Sequence, residues 1–422
     1  MSAFFHFDSR LSEAAVAAEN EVKAQFEKIA AVTAYNQQKV LAAFIKHGVS
    51  ENCFTATTGY GYGDRGREKL EEVFADVFGT EDALVRHSIL SGTHAIAIAL
   101  FGILLPGDTL LAATGAPYDT LHPVIGLGKP AKGSLAEMGV HYKEVPLTVD
   151  EKPDICGIVQ ALQDTPSVKV VHIQRSKGYS TRPSLRVSEI GGIVKAVRSV
   201  RRDVIIFVDD CYGEFVEREE PTAVGVDLMA GSLIKNAGGG IAENGGYICG
   251  KKELVERCSY RMTTPGLGRE IGASLGHNRT LYMGLFHAPH VVGEALKTAV
   301  FAASLFEKLG FAVSPRSDEA RADIIQTLFL KTPETLIDFC QGLQSGSPVD
   351  AFVVPEPWDM PGYDNQVIMA AGTFTMGASI ELSADAPLRE PYAVFLQGGL
   401  NYDTGRIGVL SAAQRLFDHH RI

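Results

Sequence analysis

A single lysine, Lys235, lies between a short apolar run and a glycine-rich loop in the stretch Gly231 to Gly246, with Ser232 just ahead of it. An amine at the end of an apolar strand is partly desolvated, which predicts a lowered pKa and a lone pair free to form an imine with a carbonyl. Ser232 could then hydrogen-bond a phosphate carried by the same ligand. A second apolar run, "DVIIFVDD", ends in two carboxylates, Asp209 and Asp210, and a carboxylate at that depth can keep a pyridinium nitrogen protonated. A third stretch, "RHSILSGTHAIAIAL", enters a helix through Ser91, Gly92 and Thr93. Free backbone N–H groups, the helix dipole and a glycine that permits close approach would hold an anion there.

Each feature also has a plainer reading. Ser91 and Thr93 can simply cap a buried helix, a lysine is most often solvated, and one of the two aspartates can serve as a cap or ion-pair partner. Taken together, the amine, the carboxylate and the anion site specify pyridoxal phosphate.

These residues need strands to carry them. From Ala83 onward, apolar runs of strand length ("TLLAA", "VKVVHI", "DVIIFVDD", "DLMAGSLI", "GYICG") alternate with helical patterns such as "SEIGGIVKAVRSV". Near-continuous apolar strands separated by helices predict an α/β fold with a mostly parallel sheet covered on both faces. In such sheets ligands bind at the carboxyl ends of the strands, where the polar residues above fall. "REKLEEVFADVFG" predicts an amphipathic helix that Gly79 ends. Around His287 the pattern changes to a long helix followed by strand-like segments ("FAVSP", "DIIQTLFL", "ASIELSA"), which predicts a smaller α+β domain. The expected division is an N-terminal helical arm over 1–55, a large cofactor-binding domain over 56–285 and a C-terminal domain over 286–422.

Composition narrows the partners. A formal charge of −11 repels phosphate backbones and anionic lipid, so neither nucleic acid nor membrane is an expected partner. The longest apolar run, Ala95 to Leu105, is about half of the ~20 residues a membrane-spanning helix needs. Six scattered cysteines form no C-x-x-C pair, which fits a reducing, cytoplasmic setting and predicts no metal site. The N-terminal stretch has no basic region followed by an apolar core, so no targeting segment is read there.

With "GYGYGDRG", "SGTHAI", "VDDCYGEF", "S-x-x-K" and "REPYAVFLQGG", the chain from about Glu51 onward resembles the fold-type-I pyridoxal-phosphate enzymes of cysteine and methionine metabolism. It looks like their methionine γ-lyase-like, or aluminium-resistance, branch, related to cystathionine β-lyase. The resemblance implies the aspartate aminotransferase fold and pyridoxal 5'-phosphate as cofactor. It also implies a carbon–sulfur lyase that releases a thiol, ammonia and a keto acid from a sulfur-containing amino acid. It maps the Schiff-base lysine onto Lys235, a phosphate-binding serine onto Ser232, and the ring-nitrogen aspartate onto Asp209. The phosphate loop falls on Ser91, Gly92 and Thr93, and the aromatic that covers the ring falls on Tyr118, which is also implied to act in catalysis. Tyr62 and Arg65 are implied to complete the phosphate site of a neighbouring subunit, giving a dimer and then a tetramer, although Tyr60 and Tyr62 can also be read as ordinary loop aromatics. For the substrate carboxylate the choice is Arg389, with Arg406 as competitor, and either can instead be a structural ion-pair partner.

The chain departs from the family where "QRSKGYSTRPSL" replaces the asparagine turn beside the cofactor's phenolic oxygen, so no residue is assigned to that contact. "GYGDRG" also satisfies G-x-G-x-x-G, but no buried strand precedes it, which argues against a dinucleotide fingerprint. Rival functions on the same scaffold are an aminotransferase, a decarboxylase, and a non-catalytic member.

Overall fold

The computed structural model of the protein describes residues 4–128, 132–360 and 365–422. Seven strands form the larger sheet: β1 (Asp82–Arg86), β2 (Thr109–Ala112), β3 (His141–Glu144), β4 (Val168–Gln174), β5 (Ile205–Asp209), β6 (Leu228–Ser232) and β7 (Gly246–Gly250). Their order is β1-β7-β6-β5-β4-β2-β3, and only β7 runs against its neighbours. Alternation explains why the central strands are apolar throughout. Val171, Ile173, Ile206 and Val208 face one core, while Val170, Ile205, Phe207 and Leu228 face the other.

Two helices open the chain, α1 (Ser9–Glu21) and α2 (Lys23–Lys46), followed by α3 (Arg65–Val77), which packs on the first face of the large sheet, and α4 (Gly92–Ile103), which packs on the second. The run Ala95 to Leu105 thus lies mostly in a core helix, which ends at Ile103. No helix among the described residues is long and apolar enough to cross a membrane.

The smaller sheet is antiparallel throughout, in the order β10-β11-β12-β9-β8, from β8 (Ala312–Ser314), β9 (Gln326–Phe329), β10 (Val367–Ala370), β11 (Ser383–Pro387) and β12 (Ala393–Gln397). The segment "ASIELSA" enters its strand later than the sequence pattern predicts. Glu381 accepts the N–H groups of Phe374 and Thr375, which fixes a turn ahead of Ser383. On β11 and β12, Ala384, Ala386, Val394 and Leu396 face the small core, which leaves Asp385, Phe395 and Gln397 on the opposite face.

One helix, Asn278–Lys308, serves both cores. Leu281, Leu285 and Val292 pack in the large one, and Phe301, Leu305 and Phe306 in the small one. It begins before His287, and residue 285 lies inside it. We propose that the domain division follows the two sheets, with this helix shared. The N-terminal arm is divided likewise: Leu11, Ala15 and Ala18 join the small core, and Val40 and Ala43 the large one.

"GYGYGDRG" is an entry loop to α3. A 3-10 turn, Glu51–Phe54, precedes it where a dinucleotide site requires a strand, and Asp64 caps the helix by accepting the Arg67 N–H at 2.9 Å. Gly66 is a packing glycine, since a Cβ there would lie 2.0 Å from the Cys53 carbonyl oxygen. Gly66→Ala is therefore expected to cost about 1–3 kcal/mol, seen as a lower urea midpoint at constant slope. Gly192→Ala, where the added carbon meets nothing within 4 Å, is expected to keep or raise stability.

Candidate active site

The carboxyl ends of β4, β5 and β6 open onto a cleft, closed from the other side by the small sheet; Lys235, Asp209 and Tyr118 line it together with Asp385, Phe395 and Gln397. Consecutive residues at the end of β5 point opposite ways. Asp209 faces the cleft and accepts the Cys211 N–H at 3.1 Å. Asp210 turns inward to the guanidinium of Arg175 at 2.8 Å, with both side chains fully buried. The ion-pair role open to either aspartate thus belongs to Asp210, and Asp209 is left free for a ligand.

Lys235 follows the end of β6, its Nζ 3.9 Å from the centroid of the Tyr212 ring. Its electrostatics differ from the sequence expectation. Burial draws the ammonium down, but Cys211, Tyr212 and Asp209 around it outweigh that effect and hold Lys235 above the ordinary lysine range. Depth alone suggested a neutral amine; the neighbours contributed by the end of β5 and the loop after it decide the sign.

The anion site is assembled from two elements. Ser91 caps α4, its Oγ accepting the His94 N–H at 3.1 Å, so the plainer reading of that serine holds as well. A Cβ on Gly92 would lie 2.9 Å from Cys211 Sγ and 3.3 Å from Ser232 Cβ, so glycine is what lets the helix start meet the end of β6. Ser232 is 1% exposed, and its Oγ has no partner among the described residues. A buried hydroxyl costs free energy unless something bonds it, and at a helix start the fitting partner is an anion. Thr93 Oγ1 lies 2.8 Å from Thr120 Oγ1, on the other flank of the same turn. These residues fit a phosphate-bearing aldehyde.

Tyr118 enters after β2. Its backbone N–H donates to Gln174 Oε1 at 2.6 Å, and Gln174 Nε2 donates to the Ser176 carbonyl at 2.9 Å. Tyr118 meets Tyr179 edge-on at 5.6 Å, and Tyr179 stacks on Phe395 at 5.3 Å. The segment that departs from the family's turn is fixed by charge. Arg182 donates to the carbonyls of Gln174 and Ser176 at 2.8 and 2.7 Å, and Ser176 Oγ donates to Asp323 of the small domain at 2.8 Å.

Three named residues lie away from this chain's cleft. Tyr62 is exposed and stacks on Tyr60 at 5.5 Å, Arg65 is exposed, and the buried arginine in the first turn of α3 is Arg67, which donates to the Gly61 and Gly272 carbonyls. Arg406 sits on the last helix, 3.6 Å from Glu19 and over the Phe301 ring, in a structural role. Arg389 is exposed and lines a cavity adjoining the cleft, which shares Tyr118, Gln174 and Tyr179 with it, and donates to the Tyr179 carbonyl at 3.4 Å.

The sequence profile of the methionine gamma-lyase family matches residues 11–417. The chain belongs to the methionine gamma-lyase family. Its enzymes depend on pyridoxal 5'-phosphate. An uncharacterised Bacillus subtilis protein, YnbB, is 50% identical over 98% of both chains. A Clostridium acetobutylicum structure, named as a candidate cystathionine beta-lyase involved in aluminum resistance, is 51% identical with a TM-score of 0.95 over 97% of this chain and 96% of its own. The methionine gamma lyase CalE6 of Micromonospora echinospora, 19% identical over 85% of this chain and 93% of its own, shares the fold at a TM-score of 0.57. The methionine gamma-lyase fold accordingly accounts for the strand order and the strand-end cleft. Sequence reasoning passed over Gln174, Tyr179, Tyr212, Asp385 and Gln397. The strand-end rule could have found Gln174, which closes β4.

Two outcomes follow from this geometry. Ser232→Ala removes an unbonded buried hydroxyl, so the cofactor-free protein is expected to keep its stability, while cofactor affinity falls about tenfold or more on loss of a charged hydrogen bond; thermal melts and cofactor titration separate the two. His172, beside Asp209, is pushed down to about 4 by burial against the pull of that carboxylate. The unfolded chain takes up its proton first, so stability is expected to fall by roughly 3 kcal/mol as pH drops from about 6.5 to 4. His172→Phe should flatten that part of the urea-midpoint profile.

Proposed function

We propose that this family member is a carbon–sulfur lyase that eliminates a thiol from a sulfur-containing amino acid, leaving ammonia and a keto acid. One observation carries the reading: Lys235, just after β6, and Asp209, at the end of β5, line one cleft, and beside it Gly92 at the start of α4 meets both Ser232 and Cys211 of the cleft wall. The names carried by its family and by the Clostridium acetobutylicum neighbour support it.

When bound, pyridoxal phosphate supplies an aldehyde for the lysine and a ring that withdraws electrons from the substrate's α-carbon. The chain supplies the rest. Ser232, Gly92 and Thr93 hold the phosphate, and Asp209 keeps a proton on the ring nitrogen, stabilising charge that develops only in the transition state. Lys235 Nζ would remove the α-proton of the bound amino acid. Tyr118, fixed through Gln174, covers the ring and delivers a proton to the departing sulfur. Arg389 takes the substrate carboxylate from the adjoining cavity. Tyr62 and Arg65, exposed in one protomer, complete the phosphate site of a second copy, which makes the enzyme an obligate dimer and then a tetramer of paired dimers. The unpaired cysteines suit a cytoplasmic enzyme.

Borohydride should bleach the visible absorbance of the purified protein and leave a reduced adduct on the peptide containing Lys235. Cystathionine or methionine should release keto acid without an added keto-acid acceptor. Asp209→Asn is expected to lower kcat by about 100-fold or more, with less effect on KM. Product that appears only with an acceptor would assign transamination instead.

A further inference from the structure

Among the described residues, the cleft wall opposite Lys235 carries a carboxylate and an amide with no part in the chemistry above. Asp385 and Gln397 project from neighbouring strands of the small sheet, on the face turned away from its core. Gln397 Nε2 donates to Asp385 Oδ2 at 2.8 Å. That bond fixes the amide's orientation, because a carboxylate only accepts. It also uses a donor of the pair and leaves Gln397 Oε1 turned away from any partner among the described residues, although Gln397 is only 3% exposed. With the amide donor spent on the carboxylate, the Asp385–Gln397 pair turns an unpartnered acceptor oxygen toward a ligand.

We propose that Asp385 and Gln397 form a subsite that selects sulfur amino acids whose sulfur substituent ends in a primary ammonium. The inference rests on the lyase reading and narrows its substrate class. A sunken carboxylate needs a compensating cation. In the cofactor-free protein burial pushes the Asp385 carboxyl up, and Tyr179, Gln397 and the Lys235 ammonium pull it back. When the lysine nitrogen is committed to a cofactor, an ammonium arriving with the substrate can take over that compensation. The walls suit the rest of such a molecule. Tyr118, Tyr179 and Phe395 present ring surfaces along which a thioether stem packs, and ring faces also attract a cation. An alkyl thioether would leave Gln397 Oε1 unbonded and bring the Asp385 carboxylate no cation, and a terminal carboxylate would be repelled.

The test compares two isosteres, S-(2-aminoethyl)-L-cysteine and S-propyl-L-cysteine, on the holoenzyme. The first would give cysteamine, ammonia and pyruvate with uptake of one water. The wild type should favour the aminoethyl compound at least tenfold in kcat/KM, and Asp385→Asn should bring the ratio of the two near one. Gln397→Leu, which alters no charge, should shrink the ratio part of the way and stands in if Asp385→Asn fails to take up cofactor. L-lysine against L-2-aminoheptanoate, read as dissociation constants from the cofactor's absorbance, should show the same order without turnover. A wild type that favours the propyl compound, or an Asp385→Asn that slows both equally and leaves the ratio intact, overturns the proposal; the second result would assign Asp385 to the α-ammonium. If the binding preference holds while neither thioether is cleaved, the subsite stands and the lyase reading falls.

Discussion

Arg175 and Asp210 form a buried ion pair between the residues that follow β4 and β5, and the cleft is laid out around it. The Arg175 N–H donates to the Asp209 carbonyl at 3.1 Å, and its guanidinium also reaches Glu217 at 3.1 Å and Glu220 at 3.6 Å. Stripping one member from such a pair typically costs about 3–5 kcal/mol, because the other is left charged and dry. The pair fixes two strand ends at once. On one side stand Asp209, Cys211 and Tyr212; on the other stand Ser176 and Tyr179. It also braces a segment that strains. Tyr212 at φ 75° and Phe215 at φ 64° occupy left-handed backbone that bulky residues avoid. Asn36 of α2 adds hydrogen bonds to the Phe215 and Glu217 carbonyls at 3.0 and 2.9 Å, so the N-terminal arm helps to hold the loop beside Lys235.

Much of this arrangement was legible because short-range rules govern it. Near-continuous apolar runs located β2, β4, β5, β6 and β7, and the strand-end rule pointed to Asp209, Ser232 and Lys235. Gly79, at φ 62°, ends α3 where the pattern places it. β1 ("DALVR") and β3 ("HYKE") escaped notice as strands, because charged residues bound the short apolar stretch of β1 and β3 is largely polar.

What the sequence hid is set by distance along the chain. Asp385 and Gln397 reach the cleft because the small sheet folds back over the large one, and no local spacing records that. The charge state of Lys235 was hidden likewise. Desolvation is readable from an apolar run, but the groups that oppose it come from the end of β5 and the loop after it. Arg389 and Arg406 looked equivalent by type, and only packing separates them, one in a cavity adjoining the cleft and the other against Glu19 and Phe301.

Alternation on β11 and β12 has an evolutionary corollary. Ala384, Ala386, Val394 and Leu396 belong to the interior of the small domain, while Asp385, Phe395 and Gln397 between them meet whatever enters the cleft. Chemical preference and thermodynamic integrity are thus written on interleaved positions of the same two ribbons. A descendant can rewrite every second letter to accept a new molecule and leave the scaffold that carries it untouched.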